Sequence, residues 1–145
     1  AFPRIRAIVE KFPSAARLIT STALKTELAV EFAIKAELNP LLINHSDFHP
    51  YMEHLSKMDP VAFVRTLDSL KDHSALDHLP QVDVPSLIVG GEIDKFTPVW
   101  LSQRMAELLP ASRYVFVQGG SHTAPLERPG LVNGEIDAFL AKLEA

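Results

Sequence analysis

Two short apolar runs, each closed by a pair of glycines, constrain this chain more than any other feature in it. Val84-Pro85-Ser86-Leu87-Ile88-Val89 runs into Gly90-Gly91, and Arg113 to Gln118 runs into Gly119-Gly120. The first is almost wholly apolar, as a strand buried on both faces of a parallel sheet would be. In the second, Val115 and Val117 point one way and Tyr114 and Phe116 the other. Between the two, Thr97 reads as a helix cap with Pro98 at the first helical position. Leu101, Met105, Leu108 and Leu109 then form an apolar stripe that Pro110 ends. After the second run, Val132, Ile136, Phe139, Leu140 and Leu143 recur at helical spacing, with Gly134 inside at a cost of about 1 kcal/mol relative to alanine. Strand, helix, strand, helix implies parallel strands joined by crossovers, and hence an α/β fold.

The chain before Pro80 has a different grammar, and it reads as helices alone. Ser14 to Leu38 contains no Gly or Pro, and Leu18, Leu28, Phe32 and Ile34 fall at helical rather than alternating spacings among Ala, Lys and Glu. Ser14 is the expected N-cap, and Asn39-Pro40 the stop, since the residue before a proline is pushed out of the helical region. Asn44 to Tyr51 has the composition of a loop. Asp59-Pro60 then reads as a cap followed by proline at the first helical position, opening a helix along Val61, Val64, Leu67 and Leu70.

Composition narrows the function. The 145 residues suit one domain. With 14 Lys and Arg against 18 Asp and Glu, the formal charge of −4 supplies no basic stripe for nucleic acid. No apolar run approaches the roughly 20 residues of a membrane span. The absence of cysteine removes thiolate nucleophiles, disulfides and cysteine-ligated metals together. The expectation is a cytoplasmic protein without membrane or nucleic-acid partners. Because the sequence opens on Ala1 rather than Met, a piece of something longer is also expected.

Chemistry concentrates in the loops that follow the two strands, where open α/β sheets place their functional groups. They run Gly90-Gly91-Glu92-Ile93-Asp94-Lys95-Phe96-Thr97-Pro98 and Gly119-Gly120-Ser121-His122-Thr123-Ala124-Pro125-Leu126-Glu127-Arg128-Pro129. Taken singly, an Asp after a strand is usually a turn residue or cap, and a lone His in such a turn is usually structural. Their joint placement is the signal. Adjacent parallel strands lie about 4.8 Å apart, so the end loops can bring Asp94 and His122 into contact. A carboxylate there would fix the histidine tautomer and stabilise the imidazolium formed when Nε2 takes a proton.

Other polar residues read as structural. Glu127 stands where a carboxylate meets the N-terminal dipole of the last helix. Thr97 and Pro98 position the acid loop. His45, His49 and His54 straddle Pro50, so they are not expected to share a helix face, and a solvated loop is expected in place of a metal site. His73 and His78 are read in the same way.

The Val-Pro-initiated strand, Gly-x-x-Asp with a following Pro, then a strand ending in Gly-x-x-His with Glu-x-Pro beyond, resembles the C-terminal part of the α/β-hydrolase fold. The resemblance implies that Asp94 and His122 are the catalytic acid and histidine of a triad, in the chain order nucleophile, acid, histidine. It further implies a partial α/β-hydrolase fold, with residues 1–80 a helical cap-like region and 81–145 the C-terminal segment of the core. The elbow Gly-x-Ser-x-Gly that presents the nucleophile in this family occurs nowhere in the sequence. Ser121 lies beyond a Gly-Gly turn without an elbow and is not taken as the nucleophile. The implied activity is hydrolysis of an ester or related small apolar substrate, with no cofactor and the nucleophile upstream. The alternatives are a binding or interaction module without chemistry, and an inactive fragment. So few strands also leave an apolar edge, for which the expected cover is the missing N-terminal half of the fold or a second copy of the chain.

Overall fold

A computed structural model describes residues 2–144. They form two compact units, one of residues 2–32 and 45–74, the other of 33–44 and 75–144. Residues 33–44, which precede Pro80, therefore pack with the strands.

The first unit is helical: α1 (Phe2–Lys11), α2 (Pro13–Ala23), the start of α3 (Glu27–Glu37), α4 (His45–Lys57) and α5 (Pro60–Leu70). Ser14 is not the cap expected of it. Phe12 holds the N-cap position and Pro13 opens α2, its fixed φ already suited to the first turn. The long helix expected from 14 to 38 breaks at Leu24-Lys25-Thr26. Just before the break, the hydroxyls of Thr20, Ser21 and Thr22 donate to carbonyls of the preceding turn. Just after it, Thr26 Oγ1 accepts from Ala29 N at 3.3 Å and starts α3. Short hydroxyl side chains compete with the helix ladder in this way and cap helices well.

Helix α4 corrects a second expectation, because the stretch from Asn44 to Tyr51 read as a loop is mostly helix and runs through Pro50. An internal proline costs about 3 kcal/mol. Phe48 and Met52 are buried one turn apart, and each such side chain contributes about 1.5–3 kcal/mol, enough to offset it. Phe48 also stacks on Tyr51 with ring centroids 5.2 Å apart. Helix α5 begins as its sequence indicates, with Asp59 accepting from Ala62 N at 2.8 Å and Pro60 at the first position.

The second unit carries a 3-10 turn (Leu79–Gln81), β1 (Ser86–Gly91), α6 (Val99–Leu108), β2 (Ser112–Val117), α7 (Ala124–Glu127) and α8 (Pro129–Leu143). The strands pair in parallel, from Ser86 opposite Ser112 to Gly91 opposite Val117. Strand β1 starts two residues later than its apolar run, past Pro85, which has no N–H to give the ladder. In β2 the expected alternation holds: Val115 and Val117 are buried while Phe116 is exposed. Val117, Val115, Ala124 and Val132 form the core, with Leu87 and Val89 packed against it. Among the described residues each strand has one neighbour, so β1 and β2 each keep a free edge.

Candidate functional site

The loops after β1 and β2 touch through their backbones. Ile93 N donates to Gly120 O at 2.9 Å and Glu92 N to Val117 O at 3.1 Å. The Glu92 carboxylate accepts from Gly119 N at 2.7 Å, holding that glycine at a φ of 68°, a left-handed conformation that L side chains resist. Gly91 permits the approach. A Cβ there would stand 2.4 Å from Ser121 O and 2.6 Å from Gly120 O, closer than any side chain tolerates. The run of glycines at the strand ends therefore lets the two loops lie against each other.

This contact brings together the two residues on which the sequence argument rests. His122 Nδ1 lies 2.9 Å from Asp94 Oδ2. An ionised carboxylate can only accept, so Nδ1 carries the proton and the other ring nitrogen is left to exchange one. Asp94 is 8% exposed at its side chain and His122 47%. The carboxylate is held on all sides: Oδ1 accepts from Phe96 N at 2.8 Å and Thr97 N at 2.9 Å, and Oδ2 from Thr97 Oγ1 at 2.7 Å. Burial alone would push its ionisation up. The hydrogen bonds from Thr97 N, His122, the Thr97 hydroxyl and Phe96 N outweigh burial and hold the carboxyl below its ordinary range.

Thr97 is thus not the helix cap expected of it. Pro98 occupies the N-cap position of α6 without a side-chain bond, while Thr97 Oγ1 sits between the pair, 3.3 Å from His122 Nδ1. With its proton given to Asp94, that oxygen can accept a share of the Nδ1 proton. Phe96 tilts against the imidazole, ring centroids 5.2 Å apart. Neither contact was foreseen, although Thr97 three residues after Asp94 is the spacing at which a carboxylate closes a turn on its own loop.

Ser121 is sealed off from substrate. It is 1% exposed, and its Oγ donates to Glu127 Oε1 at 2.7 Å. Glu127, itself 5% exposed, also accepts from Ser121 N at 2.6 Å and from Asn39 N at 2.8 Å. These bonds, together with its place two residues ahead of α8, give Glu127 a structural role.

His45 and His49 lie one turn apart on α4, because the helix continues through Pro50, and so share the face denied to them by the sequence argument. Each meets a carboxylate one turn apart on α3, His45 Nδ1 to Glu31 Oε1 at 3.2 Å and His49 Nε2 to Glu27 Oε2 at 3.5 Å. Among the described residues no three His, Cys, Asp or Glu side chains converge as metal ligands. No helix among them is long and apolar enough to cross a membrane.

The chain resembles known proteins in sequence and in fold. The sequence profile of the family described as TAP-like protein matches residues 60–145. Protein ABHD8 of Mus musculus is 43% identical over 60 residues, which is 41% of this chain and 14% of that protein. The structure of BpoC from Mycobacterium tuberculosis superimposes with a TM-score of 0.67 at 20% identity, covering 98% of this chain and 54% of that one. A thermophilic esterase from Thermogutta terrifontis superimposes with a TM-score of 0.63 at 22% identity, covering 90% of this chain and 50% of the esterase. The chain thus spans about half the length of the solved structures that it resembles and a smaller share of the curated relative.

Proposed function

We propose that this chain, which belongs to the TAP-like protein family of α/β-hydrolases, supplies the acid and the histidine of a hydrolase acting on an ester or a related small apolar substrate. The observation that carries the reading is the 2.9 Å contact of His122 Nδ1 with Asp94 Oδ2 at the ends of two neighbouring parallel strands. In this reading His122 Nε2 removes the proton of a nucleophile hydroxyl as it attacks the carbonyl carbon. It then passes that proton to the departing alcohol. Water attacks the acyl intermediate in the second half, with His122 again accepting and returning a proton. Asp94 keeps Nδ1 protonated and offsets the charge of the imidazolium, for which a depressed carboxyl ionisation suits it. The nucleophile belongs, in this proposal, to a segment ahead of the present one, because the triad order of this fold is nucleophile, acid, histidine and no Gly-x-Ser-x-Gly occurs in the sequence. That segment would also supply the strand covering the free edge of β1, and of the stretch read as cap-like the helical unit of residues 2–32 and 45–74 would act as the cap.

The test is His122→Ala in the natural protein at its full length, assayed on short-chain nitrophenyl esters. Turnover is expected to fall by at least about 10³-fold with binding little changed. An undiminished rate would remove His122 from the chemistry, and a parent protein without turnover on any ester would favour the binding module.

A further inference from the structure

Glu127 stands apart as a buried carboxylate that the mechanism does not use. Burying a charge is costly unless donors surround it, and three do: Ser121 N, Ser121 Oγ and Asn39 N, all within 2.6–2.8 Å. Two of the three belong to the residue next to His122. The third belongs to Asn39, whose side-chain Nδ2 donates to Gly119 O at 2.8 Å in the same loop. The histidine loop is therefore gripped at Gly119 and at Ser121, and both grips lead to the Asn39 and Glu127 pair. His122 has by contrast a half-exposed ring, tethered among the described residues by polar contacts to Asp94 and Thr97. An imidazole that exposed keeps one orientation only if the backbone beneath it is fixed.

We infer that Glu127 is a positioning residue for His122, holding the Ser121 backbone so that Nδ1 stays on Asp94. It acts through Ser121 and touches no substrate. The inference rests on the functional reading above for its consequence in turnover, but its geometric content concerns the ring of His122 alone. Glutamine at 127 has the same shape, yet it offers one accepting oxygen where the carboxylate offers two, and its amide hydrogens face a donor that the carboxylate satisfied. That substitution therefore breaks the grip without opening a cavity.

The experiment is Glu127→Gln in the full-length natural protein, with the imidazole resonances of His122 followed by NMR across pH and ester turnover measured in parallel. The expected result is loss or exchange broadening of the downfield Nδ1 proton, and a tenfold or greater fall in kcat with KM within twofold. A folded Glu127→Gln protein whose His122 signals match those of the parent would overturn the inference. Should that variant fail to fold, Glu127→Asp takes its place, since it keeps the charge and draws the carboxylate back from Ser121 and Asn39 by one methylene: a smaller change of the same kind supports the inference, and unchanged His122 signals overturn it. Failure of the hydrolase reading shows separately, as ester turnover indifferent to His122→Ala, and leaves the NMR result to stand on its own.

Discussion

The two units use polar side chains in opposite ways. In the first, charged pairs decorate helix surfaces: Glu10 accepts from Arg65 at 2.8 Å and also pairs with Arg6, and Lys71 reaches Asp68 at 2.9 Å. Cohesion there comes from buried apolar side chains such as Phe48, Met52 and Val64. In the second, the polar groups that matter are inside. Asp94 and Glu127 each gather three or more donors, and four of those seven are backbone amides, of Phe96, Thr97, Ser121 and Asn39. An exposed ion pair exchanges water for a partner at little gain, whereas a buried carboxylate ringed by amides dictates a backbone conformation. The first unit is therefore expected to tolerate polar change and the second to resist it.

Substitutions rank by how hard they press on that contrast. Asp94→Asn keeps the shape and loses the charge, and turnover of the full-length protein is expected to fall by about 10³–10⁴-fold. The same variant tests the pH dependence of folding. The carboxyl ionises lower in the folded than in the unfolded chain, so its stabilisation is complete above the unfolded value of about 3.9 and is lost as pH falls through the folded value. Asp94→Asn is expected to flatten that acid arm in denaturant titrations, and an unaltered arm would separate Asp94 from it. Gly91→Ala drives a methyl group into the Ser121 and Gly120 carbonyls and is expected to cost about 3 kcal/mol in chemical unfolding, the upper range of overpacking penalties because backbone must move. At the far end, Glu10→Gln removes the hub of the surface pairs and is expected to leave the melting temperature where it was. If Glu10→Gln were as damaging as Gly91→Ala, the contrast between the units would collapse.

Legibility followed the same division. Asp94 and His122 could be read because each follows a strand whose apolar run and glycines are local signals, and parallel pairing then brings them together without further information. Thr97 was misassigned because a threonine before Pro98 suits a cap, and only the fold shows Asp94 turning back to occupy its hydroxyl. Pro50 misled for a different reason. Its local penalty is visible in sequence, while the burial of Phe48 and Met52 that offsets it is tertiary. Glu127 lay furthest from reach, since one of its donors, Asn39, is 88 residues away along the chain. The sequence position that marked it was real, five residues beyond His122, but nothing local says which amides it binds.

Gly91 and Val117 face each other across the ladder, but Asp94 follows three residues after the one and His122 five after the other, so their contact is set by how the two unequal loops lock together and not by the register alone. The histidine loop is in turn tied through Asn39 to the segment ahead of β1, so any exchange of parts that replaced residues 33–44 would release Gly119 and Glu127 from their common anchor.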